Sequence, residues 1–302
     1  LSATVPNVFE FADWVGRTKR KPVYVTGTMK RPVPLSHSLW SGGKLWEICQ
    51  AETFLPTGYR KAAEALKELN GGGRAGGSAA SQRPTGRGGG RGGGRGGGRG
   101  GGRGGGQGGA RGGAGPRNNA GGGERSQWLP LVNFLRKREL LPCVVFFFSK
   151  RRCDAASDSL RNLDLTTSEE KREIHVFCER SISRLSPEDR QLPQILRVRD
   201  LLLRGVGVHH AGLLPIVKEV VEMLFCRGLT KFLFCTETFA MGVNAPAKAV
   251  VFQSLRKHDG TAFRGLLPGE YTQMAGRAGR RGLDTVGTVI INCEDSSGPR
   301  RG

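Results

Sequence analysis

From residue 128 onward, the apolar positions of this chain fall alternately into helical stripes and short unbroken runs. Trp128, Leu131, Val132 and Leu135 lie on one helical face, and residues 143–148 follow without a polar side chain. A strand that is apolar at every position is covered on both faces, as in parallel sheets. The same alternation predicts further strands over 206–208, 231–235, 249–252 and 288–291. Helices are predicted over 167–184, 186–205, 215–225 and 269–281, the first opened by Thr167 and Glu170 at capping-box spacing. Short connections between such units imply an α/β fold, a doubly wound, mostly parallel sheet with its working loops at the C-terminal edge of the strands.

Ahead of this region the signals are shorter. Asn7 is placed to cap a helix carrying Val8, Phe9, Phe11, Trp14 and Val15. Residues 23–26 read as a strand, and Arg31-Pro32-Val33-Pro34 is too proline-rich for a helix, so it reads as a crossover into a new unit. Residues 45–48 read as one arm of a short hairpin, and 59–69 as a helix built from strong helix formers.

Composition changes the picture between these two parts. Of 48 glycines, 29 lie within residues 71–123, where Arg-Gly-Gly-Gly recurs from Arg87 through Arg103. Glycine has the most backbone entropy to lose, and this block has little apolar surface to offset that loss, so residues 71–124 are expected to be a long disordered Arg/Gly-rich insertion. Two readings of it stand: an arm that holds single-stranded RNA through charge and stacking, or a flexible linker with incidental charge. The chain carries 47 Lys and Arg against 26 Asp and Glu, a net +21, of which nine charges belong to the block. A polyanion partner is therefore expected for both the block and the folded part. Seven cysteines form no C-x-x-C pair, which points to reduced, packed thiols with neither a disulfide framework nor a zinc site. No apolar run reaches the length of a membrane span, and the start at Leu1 reads as a piece of a longer protein.

Candidate chemistry concentrates in a few stretches. In Gln273-Met274-Ala275-Gly276-Arg277-Ala278-Gly279-Arg280-Arg281-Gly282, the side chains of Gln273, Arg277 and Arg280 are spaced for one helical face. One amide and two guanidinium forks suit a polyphosphate, because Arg donates paired charge-assisted bonds and keeps its proton. Just after predicted strands stand Ser149-Lys150-Arg151, His209-His210-Ala211-Gly212 and Thr236-Glu237-Thr238, all expected on one phosphate-holding edge with the arginine stretch beside it. None supplies a nucleophile with a base or paired catalytic carboxylates, so binding is expected there rather than bond-breaking. His209 and His210 point opposite ways on a strand, so a packed or hydrogen-bonded pair is expected rather than a metal site. Asp259-Gly260 signals a hairpin between 256 and 263.

Taken in order, these stretches resemble the motifs of superfamily 2 helicases. Leu1-Ser2-Ala3-Thr4-Val5-Pro6-Asn7 looks like motif III, residues 144–151 like motif IV, and 207–215 like the motif that follows it. Residues 236–246 are similar to motif V, and 273–282 to motif VI. Within the superfamily the chain most resembles the DExH-type RNA helicases of the superkiller (Ski complex) and exosome-helicase family, with residues 165–171, 256–260 and 266–271 favouring the superkiller branch.

The resemblance implies a division of labour. Residues 1–30 would end the first RecA-like lobe with motif III and the crossover, 31–70 would start the second lobe, 125–295 would complete it, and 296–302 would be a tail. Arg277 and Arg280 would be arginine fingers facing ATP and its Mg²⁺, with Gln273 near the γ-phosphate or attacking water. Asn244, with Gly242 beside it, would lie near the ribose. Ser149, Arg151, Thr236 and the backbone from His210 to Gly212 would hold RNA phosphates, and Ser2 and Thr4 would couple nucleotide state to lobe closure. The hairpin would wedge a duplex apart through His258 or Phe263. Exosome and Ski-complex subunits are implied as partners, with a cytoplasmic location, or a nuclear one for the exosome relative.

The nucleotide-holding parts are not in this sequence. It has no G-x-x-x-x-G-K-[ST] and no Asp-Glu-x-His, and Gly42-Gly43-Lys44-Leu45 lacks both the spacing and the hydroxyl. ATP and Mg²⁺ would be held mainly by the first lobe in cis, and this polypeptide alone is expected to be inactive. The contrasting expectation is a non-enzymatic RNA-binding adaptor made from a lone helicase lobe.

Overall fold

The computed structural model describes residues 7–26, 31–71, 120–242 and 244–293. Ser2, Thr4, motif III up to residue 6, nearly all of the Arg/Gly block and the tail lie outside the described residues. In chain order the elements begin with α1 (Val8–Lys19), β1 (Leu35–Ser41), β2 (Lys44–Gln50), β3 (Thr53–Phe54) and α2 (Pro56–Gly71). There follow α3 (Ala120–Lys137), β4 (Cys143–Phe146), α4 (Lys150–Asp158), α5 (Ser168–Ile182), a 3₁₀ turn (Asp189–Gln191), α6 (Pro193–Leu203), β5 (Val206–His209) and α7 (Pro215–Cys226). The last are β6 (Phe232–Cys235), α8 (Thr238–Gly242), β7 (Ala249–Phe252), β8 (Arg256–His258), β9 (Phe263–Gly265), α9 (Pro268–Ala275) and β10 (Gly287–Asn292).

Eight strands form one sheet in the order β3-β2-β1-β10-β7-β4-β6-β5. Every pair from β1 to β5 is parallel, and β2 and β3 extend the β1 edge antiparallel. This is the mostly parallel, RecA-like α/β sheet expected of a helicase C-terminal lobe. The unbroken apolar runs β7, β4 and β6 lie side by side with β5 at the edge beyond β6, and all four strands are buried at every position. Their outer cover includes Trp128, whose ring meets Phe234 edge-on at 5.3 Å and leans on Phe147 at 5.4 Å.

Local chemistry explains most boundaries. Thr167 Oγ1 accepts the Glu170 N–H at 3.2 Å while Glu170 Oε2 accepts the Thr167 N–H at 2.9 Å, so the capping box is complete. Gly205 ends the following helical region at φ 74°. Gly42 and Gly43, at φ 62° and 69°, form the two-residue turn joining β1 to β2, a conformation that glycine adopts without strain.

Several expectations fail for physical reasons. Residues 23–26 carry no strand, and β4 stops at Phe146, short of the six-residue run. β1 was hidden by its mixed sequence, Leu-Ser-His-Ser-Leu-Trp-Ser, yet it pairs with β10 on one side and β2 on the other. Asn7 sits at φ 55° and donates from Nδ2 to Glu10 instead of capping α1 with its oxygen. Helix also reaches into both ends of the block expected to be irregular, to Gly71 in α2 and from Ala120 in α3. Among the described residues no helix is long and apolar enough to cross a membrane.

Candidate functional site

Parallel strands put their C-terminal ends on one edge, and here the ladder continues past them. Phe147 N–H donates to Cys235 O at 2.8 Å, Thr236 N–H to His209 O at 3.1 Å, and Gln253 N–H to Phe146 O at 3.1 Å. Ser149, His210 and Thr236 are thereby brought to the same edge. Ser149 is the extended residue before α4, and its side chain makes no capping bond. Lys150 and Arg151 beside it are exposed. Thr236 Oγ1 lies 3.0 Å from Thr238 Oγ1 at the start of α8.

The His-His-Ala-Gly loop is more tightly held than its sequence suggests. Gly212 N–H donates to His210 Nδ1 at 3.1 Å, which leaves the His210 Nε2 proton for Asp154 Oδ1 at 3.3 Å. Gln194 of α6 clamps the loop twice, accepting from Leu214 N–H at 2.7 Å and donating to Gly212 O at 3.1 Å. Among the described residues, Ala211 N–H is the amide from 211 to 214 that no bond engages. His209 faces the other way, bonded to Glu222 of α7 at 2.6 Å. Burial pulls its pKa down although the Glu222 bond opposes the shift. The adjacent histidines are thus a hydrogen-bonded pair serving two different helices.

The arginine stretch does not form the expected helical face. α9 ends at Ala275 with Gly276 as its cap, so Arg277 and Arg280 lie on a loop and do not share a helix surface with Gln273. The loop is drawn out by a parallel bridge between Ala278 and Ala247: Ala247 N–H donates to Arg277 O and Gly279 N–H to Ala247 O, both at 2.8 Å. Glycine permits this approach. A Cβ on Gly279, already at φ 87°, would stand 2.6 Å from Val33 Cγ1, and one on Gly287 would stand 2.7 Å from Ala278 C and O. Because Ala247 precedes β7, the stretch lies toward the N-terminal side of that strand rather than beside the Ser149, His210 and Thr236 edge.

Both arginines are already engaged. Arg280 donates through Nε and Nη2 to Asp284 at 2.8 and 2.9 Å, and Arg277 donates through Nη2 to the Ala240 carbonyl of α8. Among the described residues no bond takes Nη1 of either, so each retains a donor for a phosphate oxygen. Gln273 is half-buried, and Asn244 and Gly242 are exposed on the segment running from α8 into Ala247. The bridge therefore joins the segment that follows Asn244 to the stretch that carries Arg277 and Arg280.

Sequence reasoning missed Arg31 and Tyr271. Arg31 straps the loop from outside, donating from Nη2 to Gly276 O at 2.9 Å and Ala278 O at 2.7 Å and from Nε to Val33 O at 2.7 Å. Nothing in a proline-flanked arginine announces such a partner 245 residues away. Tyr271 stacks on Phe252 at 4.8 Å and shares a 2.7 Å hydrogen bond with His37 Nδ1, and burial pushes its phenol up to about 12.

Comparison with known proteins agrees with this architecture. The helicase conserved C-terminal domain family matches residues 155–282. The chain is 54% identical over 303 residues to the DExH-box ATP-dependent RNA helicase DExH11 of Arabidopsis thaliana, covering 98% of this chain and 22% of that protein. It is 50% identical over 302 residues to human superkiller complex protein 2, covering 97% of this chain and 22% of that protein. To the ATP-dependent RNA helicase mtr4 of Schizosaccharomyces pombe it is 38% identical over 302 residues, covering 99% of this chain and 24% of that protein. The fold and these likenesses define a helicase lobe of the RecA-like class. The chain belongs to the superfamily 2 DExH-type RNA helicases of the superkiller and exosome-helicase family. It spans about a fifth of the length of these relatives.

Proposed function

We propose that the chain is the second RecA-like lobe, with the end of the first, of an ATP-dependent RNA helicase moving 3′ to 5′ and feeding RNA to the exosome. What supports the reading above all is the Ala247–Ala278 bridge, which joins the stretch that follows Asn244 to the stretch that carries Arg277 and Arg280 although the two are distant in sequence. In this reading the lobe has two working surfaces. Ser149, Arg151, Thr236 and the His210–Gly212 loop hold RNA phosphates at the strand ends. Arg277 and Arg280 face ATP, whose Mg²⁺ and remaining phosphate contacts come from the first lobe, with Gln273 near the γ-phosphate. Bound ATP supplies the energy that closes and reopens the cleft, while Ser2 and Thr4 pass that state between lobes.

α8 joins the two surfaces. It starts two residues after Thr236, and at its middle Ala240 accepts from Arg277. A change in how Arg277 is held is thus a change at a carbonyl of the short helix that follows the RNA-holding threonine. The higher identity to human superkiller complex protein 2, 50% against 38% for the mtr4 helicase, supports the Ski-complex branch and a cytoplasmic site of action over the nuclear one.

The test is RNA-stimulated ATP hydrolysis and unwinding by the full-length protein on duplexes with 3′ or 5′ tails. Stimulation by single-stranded RNA and preference for the 3′ tail are expected, and hydrolysis indifferent to RNA would reject the reading. Salt-dependent RNA binding by this chain, with and without residues 71–124, shows whether the Arg/Gly block holds RNA or only links.

A further inference from the structure

The small β8–β9 hairpin is fastened to the rest of the lobe through Lys257 on its first strand and Arg264 on its second. Its tip is built by Asp259, whose Oδ1 accepts from Thr261 N–H, Thr261 Oγ1 and Ala262 N–H at 2.8 to 2.9 Å. Gly260 at φ 111° completes the turn. Phe263 stands out from it, 68% exposed, with His258 edge-on at 5.1 Å. The base is different. Lys257 turns back into the protein with only 13% of its side chain exposed, and its Nζ lies 2.7 Å from Glu237 Oε2 and 2.8 Å from Glu270 Oε1.

Those two carboxylates belong to different parts of the lobe. Glu237 sits between Thr236 and Thr238, in the loop from β6 to α8. Glu270 is in the first turn of α9, where its Oε2 also accepts the Leu267 N–H at 2.9 Å. Arg264, on the second hairpin strand, takes the same Glu270 carboxylate in a two-pronged bond at 2.9 and 3.0 Å and lies 3.5 Å from Asp259. Burial works against the Lys257 charge, yet the bonds to Glu237 and Glu270 outweigh it and its pKa is raised. Arg264 first, with Lys257, holds the Glu270 carboxyl well below the usual carboxylate range. Lys257, Arg264 and Glu270 are therefore charged near neutral pH.

We propose that Lys257 is a positioning residue that locks the hairpin to the Thr236 loop and to the start of α9, so that the three move as one body. The cluster then orients the exposed Phe263 tip relative to the RNA-holding loop. Among the described residues, the Arg264 bond ties the second strand to α9 alone, and the Leu266 N–H bond to Leu255 O at 2.9 Å closes the root of the hairpin. Lys257, a cation held between carboxylates of two other elements, adds the link to the Thr236 loop and so fixes the hairpin's direction. The functional consequence rests on the helicase reading above. The mechanical one does not.

The experiment uses Lys257→Met, which keeps the stem and removes the charge, and Lys257→Arg, which keeps the charge, in the full-length protein. Amide hydrogen exchange over residues 256–265 is expected to quicken at least tenfold in Lys257→Met and to stay within about threefold in Lys257→Arg, with the β4 and β6 amides unchanged. Unchanged exchange over 256–265 in Lys257→Met overturns the lock. In the same variants, duplex unwinding is expected to fall at least tenfold in Lys257→Met while RNA-stimulated ATPase stays within about threefold, and Lys257→Arg is expected to restore unwinding. Wild-type unwinding by Lys257→Met overturns the positioning role, as does an equal fall of ATPase and unwinding. If the unaltered protein shows no RNA-stimulated ATPase, the helicase reading fails, and the exchange result still decides the lock on its own.

Discussion

Asp284 takes the Arg280 guanidinium in a two-pronged bond at 2.8 and 2.9 Å and also accepts the Arg280 backbone N–H at 2.9 Å, with only 3% of the carboxylate side chain exposed. An arginine that swung freely would lose entropy on meeting a phosphate, and this pairing removes that loss in advance. Arg280, with burial opposing it, pulls the Asp284 pKa down. A depressed carboxylate contributes stability above its unfolded pKa and loses that contribution as pH falls through the folded value. Asp284→Asn is expected to lower stability by about 2 kcal/mol at pH 7, the scale of lost charge-assisted bonds. Denaturant titration checks this, and the gap to the wild type should begin to close below about pH 4. A gap that widens in acid would contradict the assignment.

Two glycines with nearly the same backbone angle make opposite steric demands. Gly279 at φ 87° has Val33 where a Cβ would go, whereas Gly282 at φ 79° has open space there. Gly279→Ala is expected to cost about 2–4 kcal/mol, combining the left-handed backbone with overpacking. Gly282→Ala should cost about 1 kcal/mol from the backbone term alone. Thermal unfolding of the two variants measures the difference, and equal losses would mean that the Ala247–Ala278 bridge yields easily.

His209 provides a pH test with the opposite chemistry. Its Nδ1 is buried without a hydrogen-bond partner, and burial holds its pKa below the ordinary imidazole value. The unfolded chain therefore binds this proton first as pH falls from about 6.5, so stability drops between that pH and the depressed folded pKa. The melting temperature should fall between pH 7.5 and 5.5, and His209→Gln, which can still donate to Glu222, should show a smaller fall. An equal fall in the two proteins would assign the pH dependence to other groups, among them His37, which burial and Arg31 also depress.

What the sequence could reveal follows from how local each signal is. Unbroken apolar runs identified β4, β6 and β7 because burial on both faces disfavours polar residues, whereas β5 ends in the buried His209, which needs Glu222 as its partner. β1 escaped because a serine- and histidine-bearing strand carries no such mark, and only its pairing with β10 and β2 makes it a strand. Periodicity put Gln273, Arg277 and Arg280 on one helix, but the glycines within the stretch favour the tertiary bridge to Ala247 that ends α9 at Ala275. The motif residues could be named from their order in the chain. Their holders, Arg31, Gln194, Asp284 and Lys257, could not, because a single charged or amide side chain gives no sequence sign of the distant partner it will find.

The central claim is that Arg277 and Arg280 complete an ATP site whose other half lies on the first lobe, and steady-state ATPase of the full-length protein tests it most directly. Arg277→Ala and Arg280→Ala are compared with the wild type at saturating RNA, the latter also with Asp284→Ala so that no carboxylate is left buried and unpaired. The account predicts a fall in kcat of about 10³-fold or more in each, with the KM for ATP changed only a few-fold and the melting temperature of the double variant retained. A kcat within a few-fold of wild type in both arginine variants would contradict it.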